Sequence, residues 1–290
     1  MALLRDMRHP HWARRRIRQL DTDRDARELL HLTFEVRYGA PDFIHSMFSL
    51  AFARQAAIPG IAEVLYRGGS GLIMTDARKR NNDTLLFFGE LFNHGTTGRG
   101  AEVIERMNRL HAHMPISNDL NLYTLATLIC EPRRVGRQLT GREFITDREF
   151  RAMFIFWREV GHQMGISAIP PDENAMYKWY LDYEAAQYAP TEAGKAIANA
   201  LADEFAARWF PKMLHQIGRQ FYFSLFDDEL LRVFGLARPF GVYHVMVRLR
   251  VNGYLRVLVP LLPDGPDRSI IDHFGRDYVP YDFDKVGVRL

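Results

Sequence analysis

Apolar side chains recur three and four residues apart along most of this chain, and the regular element with that period is the amphipathic helix. Phe144, Phe150, Phe154 and Trp157 form one such set, and Ile197, Leu201, Phe205 and Trp209 form another. Start signals agree with the period. Ser117 and Asp119 precede an apolar run, Thr146 is followed three residues later by Glu149 as a capping box, and Thr191 opens the run into Gly194 and Ala196. Pro170 and Pro171, then Asp172, mark a break before a helix containing Met176, Trp179 and Leu181. A second break falls between Leu236 and Gly241. The expected fold class is all-α.

No internal repeat, low-complexity tract or Gly/Ser linker divides the sequence, so one mainly helical domain is expected at 26–262. It is flanked by a basic segment at 1–25 and by an extended, loop-rich tail at 263–290, where Pro263, Gly265, Pro266, Gly275 and Pro280 break any period. Such a tail packs over its own body or onto a second subunit, which leaves a homo-oligomer open.

The charge balance of 38 Lys and Arg against 35 Asp and Glu is too even for a chain that coats nucleic acid. Cys130 is the single cysteine, which excludes an intrachain disulfide framework, a zinc ribbon and a Cys-ligated cluster within one chain. Met1 to Gln19 carries six arginines and no apolar h-region, so export by the general route is not expected and the setting read from sequence is cytoplasmic. Phe240 to Leu262 is the most apolar stretch, but Arg248, Arg250, Arg256 and Pro260 interrupt it, and it fails as a spanning helix. Two readings stay open for it: a basic amphipathic segment lying on a membrane surface, or a helix packed in the core.

Among eleven histidines, His111 stands out. It lies beside the helix face formed by Val103, Ile104, Met107, Leu110 and Met114. A neutral imidazole in a bed of methionine, leucine and aromatic groups suits a proximal haem ligand, and the same spacing suits a satisfied core histidine. Arg80 and Thr84, four apart, put a guanidinium and a hydroxyl on one helix face just before the apolar wall Leu85 to Phe88. They could serve as hydrogen-bond donors to a small anionic or polarised ligand, or form an ordinary surface turn. His94 with Glu90 lacks a third metal ligand at suitable spacing and reads as a helix-surface pair. There is no Gly-rich phosphate loop and no Gly-x-Ser-x-Gly elbow.

The run Arg109-Leu110-His111-Ala112, then Asn118-Asp119-Leu120-Asn121-Leu122-Tyr123-Thr124-Leu125, then Phe156-Trp157-Arg158-Glu159-Val160-Gly161, Met164-Gly165-Ile166 and Ile169-Pro170, resembles the MpaB and rubber-oxygenase (latex clearing protein) family. The resemblance runs from about Thr33 to about Pro263. It implies a helical fold with a globin-like core and haem b bound through the histidine of a Leu-His-Ala motif, here His111. It also implies an arginine and a threonine beside the haem, here Arg80 and Thr84.

The activity so implied is that of a haem-dependent oxygenase using dioxygen on an apolar, unsaturated small molecule, with residues near Tyr123 completing the cofactor pocket. The sequence departs from the pattern at Asp83, which replaces a lysine that caps the iron in a closed rubber oxygenase. Closure of that kind is not expected here. Two alternatives remain: a haem-free helical protein holding a lipid or isoprenoid in the same cavity, with peripheral membrane contact, and a haem carrier or sensor without turnover.

Overall fold

A computed structural model of the chain describes residues 9–287, and all regular structure among them is helical. Arg5 and Arg8 of the basic N-terminal segment lie outside the described residues. The elements in chain order are α1 (Trp12–Gln19) and α2 (Ala26–Leu30), which runs into a π-helical turn at His31–Arg37, then α3 (Pro41–Ala56), α4 (Pro59–Tyr66) and the single turn α5 (Leu72–Thr75). The central set is α6 (Ala77–His94), α7 (Arg99–His111), α8 (Asn118–Thr140), α9 (Asp147–Gln163), α10 (Glu173–Gln187) and α11 (Glu192–Trp209). They are followed by α12 (His215–Phe223), α13 (Asp228–Val233), α14 (Gly241–Gly253), a second π-helical turn at Tyr254–Leu258, and the short turns α15 (Val259–Leu261) and α16 (Ile271–Phe274).

The start signals read from sequence are the caps that form. Ser117 accepts from the Leu120 amide, Thr191 from Gly194, and Asp172 from both Asn174 and Ala175. Thr146 and Glu149 make the reciprocal capping box, each satisfying the other's backbone amide. Phe144, grouped by spacing with Phe150 and Phe154, falls before this cap. Its ring instead packs edge-on to Tyr38 at 5.0 Å between centroids.

One apolar core fills the centre, built from residues such as Leu29, Leu50, Leu86, Ile129, Phe154, Leu201 and Phe234. Within it lies a buried ionic network. Arg54 on α3 donates to Glu131 on α8 at 2.6 Å and to Asp227 at 2.8 Å, and Tyr180 on α10 donates to Glu131 at 2.7 Å. Arg134 bonds Glu184, so four segments are fixed in register by charges of which Arg54, Glu131 and Glu184 are buried. Breaking one partner of such a set strands the other at a cost of about 3–5 kcal/mol.

Both ends pack against the helical body. In the described part of the basic segment, Trp12, Ala13 and Ile17 give α1 a buried face, and the arginines occupy its other side. Arg16 pairs with Glu28, and the Arg14 guanidinium donates to the Val259 carbonyl. The tail folds back over the body. The indole of Trp12 donates to the Gly265 carbonyl at 3.0 Å, and Asp264 accepts from the Ala13 amide at 2.8 Å. Farther on, Asn82 donates to Asp277 at 2.7 Å, Tyr281 donates to Glu90 at 2.7 Å, and the buried ring of Phe283 lies under the guanidinium groups of Arg99 and Arg106. The tail therefore covers the outer side of α6 and α7 of its own chain.

Candidate active site

Helix α6 carries two chemistries on two faces. Asn81 and Asn82 turn toward α11, where Asn81 donates to Glu204 at 3.1 Å and Arg208 donates to Asn82 at 2.9 Å. Glu204 also faces His45, which accepts the Trp209 indole hydrogen on Nδ1, so the opposite ring nitrogen carries the proton toward the carboxylate. This polar lock fixes the rotation of α6. The opposite face, with Arg80, Asp83, Thr84, Phe87 and Phe88, is thereby turned into a cavity of about 400 Å³. Phe48 and Phe52 of α3, Met107 and Leu110 of α7, and Trp157 of α9 supply apolar walls, and Thr124, Leu125 and Leu128 line it from α8.

His111 is the last residue of α7 and lines the same cavity. The Asn108 side chain ties this helix to the end of α9 by donating to the Gln163 carbonyl at 3.0 Å. The chain then turns through Met114, whose amide donates to the His111 carbonyl at 2.9 Å, before the Ser117 cap starts α8. Nδ1 of the His111 imidazole is buried and has no hydrogen-bond partner. Burial and the nearby Arg80 charge hold its pKa below the ordinary histidine value, so the ring is neutral at pH 7. His113, two residues on, is exposed.

Arg80 is half-buried and lines the cavity, and burial draws its pKa down. Its guanidinium bonds the Thr84 hydroxyl one turn on and stands over the Phe52 ring at 5.0 Å from the centroid. Among the described residues it has no ion-pair partner. A cation in this position favours a polarisable or anionic group in the cavity. Asp83 also lines the cavity, with both carboxylate oxygens 3.2 Å from the Lys79 ammonium, and it accepts the Tyr278 phenol hydrogen.

Arg80, Thr84 and His111 are thus brought together, although residue type and spacing alone left a surface turn and a core histidine open. Tyr123 is not. Its hydroxyl donates to Glu184 at 2.8 Å and lies 3.2 Å from the Tyr188 hydroxyl, within the ionic network on the far side of α8. Its neighbours Asn121, Thr124 and Leu125 face the cavity, because adjacent residues on a helix point about 100° apart. Of the wall Leu85 to Phe88, Phe87 and Phe88 line the cavity while Leu85 and Leu86 are core.

Phe52, Trp157 and Gly287 join the site without having been singled out for it. Their contribution is shape, and residue type carries no sign of it. His94 meets Glu90 at 3.5 Å with Arg99 and Tyr281 beside that carboxylate, and no group of three or more metal-ligating side chains occurs among the described residues.

Comparison with known proteins bears on this arrangement. The relatives include the ER-bound oxygenase mpaB′ of Penicillium brevicompactum, 29% identical over 197 residues, which cover 62% of this chain and 46% of that protein. The chain therefore spans about half the length of that relative. The ER-bound oxygenase mpaB of Penicillium roqueforti (strain FM164) is 25% identical over 226 residues, covering 72% of this chain and 74% of the other. Residues 36–258, which contain α3 to α14 and every cavity residue named above except Gly287, match the family described as ER-bound oxygenase mpaB/B′/rubber oxygenase, catalytic domain, and the chain belongs to that family.

Proposed function

We propose that this oxygenase-family chain binds haem b in the cavity beneath α6 and oxidises an apolar, unsaturated small molecule there with dioxygen. The observation that carries the reading is the His111 imidazole: neutral, opening on an apolar cavity, and with a buried ring nitrogen that has no partner in the protein. The donor set fits the group. Haem requires one neutral nitrogen ligand and a wide apolar lining, and His111 with Met107, Leu110, Phe48, Phe52 and Phe88 offers both. The cavity volume lies within the range of small-molecule and cofactor sites, about 300–1,000 Å³.

When bound, haem would supply the activation of dioxygen. The protein's own residues have separate tasks. His111 holds the cofactor from the end of α7. Arg80 and Thr84 direct a fixed positive charge and a hydroxyl into the cavity, where a low local dielectric strengthens their pull on developing negative charge. Phe52 supports the guanidinium from below. Asp83 is a carboxylate on the cavity wall, held in place by the Lys79 ammonium and the Tyr278 phenol, both of which donate to it. The aromatic and aliphatic walls exclude water from the reacting molecule.

Titration of purified protein with haemin tests the assignment. Wild-type protein is expected to take up one equivalent with a Soret band and a pyridine haemochrome of the b type, and His111→Ala to lose it while its circular dichroism stays helical. Full uptake by the variant rejects His111 as ligand. Wild-type protein that takes up no haemin, but binds an isoprenoid alcohol, supports the haem-free lipid binder instead. Haem uptake without substrate-dependent oxygen consumption supports a carrier or sensor.

A further inference from the structure

The segment from Phe240 to Leu262 leaves its apolar side uncovered. On α14, Val242, Val245, Met246 and Leu249 are all exposed, Leu249 at 68%, and their spacing of three, four and seven places them on one stripe. The opposite side of the helix is the packed one, through buried Val247 and half-buried Val251. Phe240 at 76% exposure precedes the stripe, and Leu258 and Leu261 extend the uncovered apolar surface beyond it. Met213 and Ile217, exposed on a neighbouring turn and on α12, add to the apolar surface. This amphipathic helix has its apolar face turned to solvent.

The charges around the stripe identify what covers it. At about 100° per residue, Arg248 and Arg250 fall on either side of the stripe. From 230 to 263 the sequence contains no Asp or Glu. Arg250 has a partner in Asp42, and Arg256 donates to the Thr140 carbonyl, while Arg248 is exposed. Pairing two copies through this face would bring arginine against arginine with no carboxylate in the segment to compensate. A bilayer surface with anionic headgroups supplies both an apolar layer for Phe240, Met246 and Leu249 and counter-charge for the arginines, whose stems can follow the stripe while the guanidinium groups stay among the headgroups. No helix among the described residues is long and apolar enough to cross a membrane.

We infer that the outward face of residues 240–262 is a membrane-docking surface that lays α14 flat on an anionic bilayer. The test is co-sedimentation of the full chain with phosphatidylcholine vesicles and with vesicles of phosphatidylcholine and phosphatidylserine in equal parts. Wild-type protein is expected to pellet with the mixed vesicles and much less with phosphatidylcholine alone. Leu249→Glu and Arg248→Glu should each weaken binding roughly tenfold. Both positions are exposed, and an unchanged thermal melt shows that each variant is folded. Failure of wild-type protein to pellet with either vesicle overturns the inference, as does equal pelleting by the folded variants. A wild-type dimer by light scattering that Leu249→Glu converts to monomer, without vesicle binding, overturns it in favour of an interface between copies. Haemin uptake is read separately, so this surface and the haem assignment stand or fall independently.

Discussion

His111 and Arg80 line one cavity, and burial, reinforced by the guanidinium charge, keeps the imidazole neutral. The two residues belong to different helices, α7 and α6, so their meeting depends on how the tail, α9 and α11 clamp those helices together.

Arg80→Met removes the charge while keeping most of the apolar stem. The imidazole should then titrate higher, yet still below the ordinary 6.5 because burial, the larger cause, remains. An NMR titration of the haem-free protein following the His111 ring resonances reads this directly. An unmoved midpoint removes Arg80 from the electrostatics of the site.

His31 joins the body to the tail. Its ring bonds Glu35 through Nδ1 at 2.5 Å and Asp267 through Nε2 at 2.6 Å. Burial opposes the charged ring, but the two carboxylates outweigh it and raise the folded-state pKa above 6.5. A raised pKa contributes stability that is fully present below 6.5 and is lost as pH rises through the folded value. The protein should therefore be more stable below pH 6.5 than in mildly alkaline buffer on account of this group. In His31→Gln that difference should shrink, as measured by urea unfolding in both buffers.

Tyr123→Phe tests the separation of cavity from network. The variant loses the hydroxyl that donates to Glu184, with a stability cost of about 1–2 kcal/mol. Haemin uptake should stay at the wild-type level, since the ring faces away from the cavity. Loss of uptake in a folded Tyr123→Phe protein would return this tyrosine to the site.

Gly161→Ala probes the helix contact behind the cavity. A Cβ at this position would lie 2.6 Å from Leu125 and 3.0 Å from Ile169, closer than packed carbon atoms allow. Overpacking of this kind costs about 1–3 kcal/mol, offset by about 1 kcal/mol from the better helix propensity of Ala within α9, so a small net loss is expected. Leu125 lines the cavity, so the variant should also bind haemin more weakly, and the combination is visible in a melt with and without ligand.

The all-α class, the caps at Ser117, Thr146, Asp172 and Thr191, and the breaks at Pro170 and Gly241 were legible in the sequence because each depends on residues within a few positions of one another. The same local logic put Arg80 and Thr84 on one turn and His111 beside an apolar stripe.

Where those faces pointed was decided elsewhere. Asn81 and Asn82 lock α6 by reaching residues more than a hundred positions away, and that lock turns Arg80 inward. Tyr123 lies between cavity-lining neighbours in sequence, yet the Arg54 carbonyl on α3 and the buried Glu184 carboxylate on α10 draw its hydroxyl to the other side of its helix. The tail looked like loop and became a strap, because its aromatic and acidic side chains found partners on α6 and α7. Periodicity fixes which side of a helix is apolar, whereas a cavity, a buried ion network or an uncovered stripe depends on what the rest of the chain brings to that side.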